Sequence, residues 1–181
     1  MNCGLHKYGF LFCLWIALAG GCASLSEDQC RHANWYDIGF RDGLKGYRAD
    51  YVFQHGEACA KYGISVNRPE YSRGYEEGLK QYCIPSNGYM MGLQGQPYNG
   101  VCKGPDADAF FRMWLKGKQV YEIEKRLREI NVEMEEIDNS LVETQTDREE
   151  RRSLLSRRRE LEQERTRLLI EKEMKSRQGD G

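Results

Sequence analysis

Val120, Ile123, Leu127, Ile130, Met134, Ile137 and Leu141 recur in alternating steps of three and four residues. Three heptads of this spacing place an apolar seam along one side of a helix, and such a narrow seam is buried only against another helix. In register the next positions would be Thr144, Arg148 and Arg151, which cannot continue the seam. A new stripe starts at Leu154 and recurs at Leu161 and Leu168. Between the stripes, Thr146 and Glu149 have the spacing of a capping box, which marks a helix start. The pattern therefore predicts two helices joined by a turn near residues 144–147. A single continuous helix is the alternative, since neither Gly nor Pro forces the chain to turn there.

Charge favours the hairpin. Residues 118–143 hold four basic and eight acidic side chains, net −4, whereas residues 147–177 hold eleven and eight, net +3. Oppositely charged arms of similar length suit antiparallel packing, each arm being about 40–45 Å long at 1.5 Å per residue. Asp106 or Asp108 is expected to cap the first helix, and Phe110, Phe111 and Trp114 to anchor it to what precedes. Four residues, 178–181, are expected to form a disordered tail.

Ahead of residue 106 the composition changes. Residues 22–105 are rich in Gly and Tyr and contain Cys30, Cys59, Cys83 and Cys102, whereas 106–177 lack Cys and Pro. In "WYDIGFRDGLKGY", Gly39, Gly43 and Gly46 fall at i, i+4 and i+7, on one face of a helix. "YSRGYEEGLKQYC" repeats the theme with Gly74 and Gly78, and "GYMMGLQGQPY" holds a looser version at Gly88, Gly92 and Gly95. Glycine inside a helix costs about 1 kcal/mol relative to Ala, so its repeated use on one face implies close helix approach. We expect aromatic rings to lie over the bare backbone. Glycines marking turns between short strands are the competing reading, but period-two alternation is absent. Four short helices are predicted, at about 35–46, 49–62, 69–82 and 87–93. Gly63 should cap the second, and Asn67 with Pro69 should open the third.

The compartment decides how the cysteines are read. Residues 8–18 are apolar apart from Gly9, too short to cross a bilayer but suited to a signal peptide. They run into "AGGC", the small-residue context of lipoprotein processing. Residues 1–21 are therefore expected to be removed and Cys22 to be acylated as the mature N-terminus, anchoring the protein without a transmembrane helix. Cleavage near Ala23 as an ordinary secretory peptide is the alternative. Ala23 in place of Asp favours the outer membrane, facing the periplasm. Four cysteines then remain in an oxidising compartment, which reads as two disulfides with three possible connectivities. Antiparallel packing of the first two helices would bring Cys59 beside Cys30, leaving Cys83 to pair with Cys102. A metal site including His32 or His55 is the alternative, but no CxxC or HxxxH spacing occurs.

These residues resemble an uncharacterised family of Gram-negative lipoproteins known as domain of unknown function 2799. The resemblance rests on "WYDIGFRDGLKG", on His55 and Cys59, on "YSRGYEEGLKQYC" and on "GLQGQPYNGVC", and covers roughly residues 30–175. It implies an envelope lipoprotein and supplies no catalytic residue. The expected fold is all-α, a disulfide-bonded helical head followed by a coiled-coil hairpin. A net charge of −1 gives no basic field for nucleic acid. The favoured role is a structural or adaptor protein without a cofactor, membrane-held by its lipid and binding another envelope protein through the coiled coil. A glycan or small-ligand module is second. An enzyme acting on peptidoglycan, drawing on Asp42, Asp50 or Glu57 with His55, is third, because no nucleophile elbow, phosphate loop or zinc spacing is present.

Overall fold

The computed structural model describes residues 23–142 and 147–177. The expected signal peptide, Cys22, the turn around 144–146 and the tail at 178–181 lie outside the described residues. Those described contain helices and no strand. In order they are α1 (Glu27–Arg31), α2 (Trp35–Leu44), a 3₁₀ turn (Ala49–Tyr51), α3 (Val52–Ala60), α4 (Arg68–Tyr82), α5 (Pro85–Leu93), α6 (Asp106–Val142) and α7 (Arg148–Arg177).

The helix ends follow local chemistry. Asn34 and Asn67 cap α2 and α4 by accepting from the backbone N–H groups of Asp37 and Glu70. Gly46, with φ of +65°, ends α2: its own N–H reaches Gly43 and that of Tyr47 reaches Asp42, a Schellman arrangement that favours glycine. Gly46 thus lies beyond the helix and does not extend the packing face of Gly39 and Gly43, as its spacing had suggested. Gly63, at φ +72°, closes the helical segment of α3 in the same manner. At the far end of the chain Asp147 caps α7, accepting from the N–H groups of Glu149 and Glu150; Thr146, expected in a capping role, lies outside the described residues. Asp106 and Asp108 sit inside the first turn of α6, where carboxylates oppose the helix dipole.

The glycines set the tertiary arrangement. A Cβ on Gly39 would fall 2.0 Å from the Tyr71 carbonyl oxygen, and one on Gly74 would fall 2.0 Å from that of Tyr36. Gly43 and Gly78 meet Tyr75 and Phe40 in the same way, at 2.2 Å. The contacts advance together along both helices, so α2 and α4 lie parallel, backbone against backbone. The expected cover of aromatic rings over these four glycines is absent, because rings would hold the helices too far apart. Nor is the main partner of α2 the next helix, as expected. α3 is instead the return connection a parallel pair requires, and it lies across α2 and α4 with Ala58 and Cys59 buried against Trp35, Ile38, Tyr71 and Tyr75. The Cys30–Cys59 bridge forms as anticipated, but through α1.

The same construction occurs a second time. Gly88 and Gly92 of α5 face Phe110 and Trp114 of α6, while Gly117 faces Tyr89, again in parallel. The sequences correspond: Gly39-x-x-x-Gly43-Leu44-x-Gly46 matches Gly88-x-x-x-Gly92-Leu93-x-Gly95. Likewise Gly78-x-x-x-Tyr82 matches Gly117-x-x-x-Tyr121, and each tyrosine ring lies under the positive-φ glycine that ends the first helix of its pair. Each pair also has a disulfide from a cysteine before its first helix to one in its connector, Cys30–Cys59 and Cys83–Cys102. Met113 stands where α4 has Gly74. At that end the contact is looser, a Cβ on Gly88 lying 2.5 Å from the Phe110 oxygen. The head is therefore a duplicated glycine-packed pair, the second copy with an irregular connector in place of α3.

α6 continues without interruption from the second pair into the rod. Its first turns bury Phe110 against Tyr82, Val101 and Cys102, so head packing extends past the composition boundary at residue 105. Further along, Ile130 and Ile137 bury Leu161 of α7, with Met134, Leu141, Leu154 and Leu168 half-buried around them. The two stripes expected to form a hairpin seam do so.

Candidate functional site

The buried polar groups of the head converge on Asp42. Its Oδ2 accepts from the Tyr71 hydroxyl at 2.8 Å and lies 2.8 Å from Nε2 of His55, whose Nδ1 is 2.9 Å from the Ser24 hydroxyl. In the neutral ring Nε2–H donates to the carboxylate and Nδ1 accepts from Ser24. The side chains of His55 and Asp42 are only 4 % and 8 % exposed. Burial, then the hydrogen bond to Asp42, pushes the Tyr71 phenol well above its usual range, so it remains a donor. Four elements meet here: the segment before α1, then α2, α3 and α4.

A serine, a histidine and an aspartate in a chain invite comparison with a nucleophilic triad. Such catalysis needs a cleft in which the hydroxyl meets substrate beside oxyanion donors. The three recesses of about 560 to 950 Å³ that border the helix pairs, α3 and α7 are lined by none of Ser24, His55 and Asp42. The arrangement fixes Ser24, and with it buried Leu25, onto the helical core. Asp42→Ala is expected to cost about 3–5 kcal/mol, since it leaves the buried His55 Nε2–H and the Tyr71 hydroxyl without their acceptor. Ser24→Ala should cost about 1 kcal/mol. Urea unfolding of the two variants checks this ordering, and equal losses would contradict it.

The remaining carboxylates considered for chemistry do not join this cluster. Asp50 pairs with Arg48 at the surface, and Glu57 is exposed on α3. His32 pairs with Asp28, also at the surface. No group of three potential metal ligands occurs among the described residues.

A recess of about 950 Å³ lies where the two helix pairs adjoin. Tyr75, Leu79, Ile84, Pro85 and Val101 line its apolar part, and Arg48, Lys80, Lys103, Asp50, Glu76 and Asp106 supply three charges of each sign. That combination suits a small ligand with both polar and apolar parts.

The rod is knit by charge across its seam. Arg126 holds Glu164 through two hydrogen bonds of 2.8 and 3.0 Å, Arg157 binds Glu133, Arg158 binds Asp138 and Lys172 binds Glu124. Hydrogen bonds from these arginines hold Glu164, Glu133 and Asp138 below the usual carboxylate range. In each of the four pairs the carboxylate comes from one arm and the cation from the other, and in three α7 gives the cation. This is the pairing that the net charges of the arms imply.

Of the Ser24–His55–Asp42–Tyr71 cluster, the grouping of Asp42 with His55 was among the combinations the sequence offered, whereas Ser24 and Tyr71 were missed, because they are distant in the chain and match no motif spacing. α1 was also missed, although Ser26 and Gln29 have capping-box spacing and form that box.

Residues 34–119 match a family model described as "Protein of unknown function (DUF2799)". The resemblance carried by the glycine and cysteine motifs is thereby established for the head, and the match ends within α6 where the rod begins. No curated protein and no solved structure matches the chain.

Proposed function

We propose that the chain is an envelope lipoprotein, held through acylated Cys22 at the outer membrane and facing the periplasm, whose hairpin is an interaction arm. The observation that carries this reading is the division of labour along α6. Its first turns are committed to the head, and the remainder forms a slender two-helix rod with a closed seam and a charged exterior. A rod of two helices has little concavity for chemistry but a long surface for a protein partner. The head serves as the scaffold that fixes the rod's base.

A second reading is favoured by the recess between the helix pairs, whose volume and mixed lining suit a small ligand or glycan. Deletion of residues 124–177 separates the two. That variant keeps α6 through the crossing at Gly117, and its disulfides serve as the folding control. The arm reading expects it to be inert in cells lacking the native protein. Full restoration of function by the truncated chain would transfer the role to the head.

A further inference from the structure

The outward face of α7 differs from the rest of the rod. Leu154, Leu161 and Leu168 face α6, and at 100° per residue the opposite side carries Arg152, Arg159, Gln163, Thr166, Ile170 and Met174. All six are exposed. Ile170 and Met174, adjacent at i and i+4, are 60 % and 55 % exposed despite their apolar character. From Arg159 the steps are four, three, four and four, which is the spacing of a second seam.

The cations on this face are also unspent. α7 uses Arg157, Arg158 and Lys172 to bind α6. Arg159 donates only to the Leu155 carbonyl of its own helix. Arg152, Arg159 and Arg167 form no ion pair among the described residues. Arg159, Arg167, Lys175 and the two apolar residues border one shallow recess of about 810 Å³ along the helix, with Glu162, already bound by Arg158, and Glu171 at its edges, so the recess keeps an excess of positive charge.

We propose that this face seats a third helix, acidic and amphipathic, supplied by a partner protein. The inference rests on the reading of the hairpin as an interaction arm and names what the arm would hold. Charge complementarity selects the occupant: glutamates or aspartates opposite Arg152, Arg159 and Arg167, and apolar side chains opposite Ile170 and Met174. The stripe is one helix wide. On α6 the outward positions include exposed Glu135 and Glu136, so the rod lacks the broad positive surface that lipid headgroups or a nucleic-acid backbone require. A second copy presenting α6 fits poorly, since Lys125 and Arg128 lie on that same exposed side.

The test uses the full-length protein in intact cells, with p-benzoylphenylalanine at position 166 or, as control, at position 132 on α6. Light should produce a protein adduct from position 166 and not from 132, and peptide mapping should locate it in an acidic helical segment. The pair Arg159→Glu and Arg167→Glu should lower the yield about tenfold. Exchanging the facing acidic residues of the captured segment for lysine should restore it. Both arginines are exposed and neither forms an ion pair among the described residues, so the helical content of the rod should not change. Arg167 does favour the Glu164 carboxylate, so Arg159→Glu alone, which should also lower the yield, is the variant whose melting should match the native protein. Adducts to lipid or to a second copy, no adduct, or a yield indifferent to the double reversal would overturn the proposal. The arm reading fails separately, if deletion of residues 124–177 leaves function intact. Should that deletion abolish function while the double reversal does nothing, the arm stands and this face is not its seat.

Discussion

Gly39→Ala is expected to unfold the head. The added methyl would sit 2.0 Å from the Tyr71 carbonyl oxygen, 2.9 Å from its carbon and 3.0 Å from the Tyr75 nitrogen, all of them backbone atoms. No rotamer change relieves such a clash, so α2 and α4 must separate along their whole contact. The expected cost is about 3–5 kcal/mol, at the exceptional end for a single methyl, and Gly74→Ala should match it. Gly56 in α3 is the internal control. Its Cβ would meet only a Val66 methyl at 3.8 Å, so Gly56→Ala should stabilise the helix by about 0.5–1 kcal/mol. Urea denaturation followed by circular dichroism reads both signs. A loss below about 1 kcal/mol for Gly39→Ala would mean the helices are not in backbone contact.

Leu161→Asp should open the rod while leaving the head folded. Leu161 has no exposed surface and sits between Ile130 and Ile137, and it is the only fully buried member of the α7 stripe among the described residues. A carboxylate there has neither water nor a cation, for a cost of about 4–5 kcal/mol. α7 is strongly polar outside its stripe, so once detached it has little to hold it helical. The expected result is a fall in helical ellipticity on the scale of one 30-residue helix, with rapid tryptic cleavage at the α7 arginines. Leu169→Asp, on a residue 44 % exposed, should do neither. Retention of full ellipticity by the Leu161 variant would place the rod's stability in its ion pairs instead.

These two sites differ in how far the sequence revealed them. The rod was legible because its information is local and periodic. The Ile130 and Leu161 stripes state which side is buried, and the charge imbalance of the arms states that they pair. In the head, the glycine spacing revealed close approach but not the partner. Gly39 could have met α3 as readily as α4, and the choice is made by packing between segments some 35 residues apart. The parallel direction was hidden for the same reason, since a glycine face is alike read either way. The duplication was half visible: the glycine theme repeated, but the unit proved to be a pair of helices, with Met113 replacing one glycine. Of the Asp42 cluster only the pairing with His55 was among the sequence's candidates, beside Asp50 and Glu57, and Ser24 and Tyr71 left no trace. A buried network needs one aspartate, one histidine and two hydroxyls brought together in space, and nothing local demands any of them.

The uninterrupted course of α6 has a mechanical consequence. Between Gly117 and Val142 the helix contains neither Gly nor Pro, so the junction of head and rod has no hinge. A force on the distal end is carried as bending and torsion along one rigid lever. It arrives at the crossing of Gly92 and Gly117, where the backbones have no side chains between them to absorb a shift, beside a connector clamped by Cys83–Cys102. The rod therefore works as a handle fixed to the head: its pointing direction is set at the glycine crossing, and a pull on one is felt as a twist in the other.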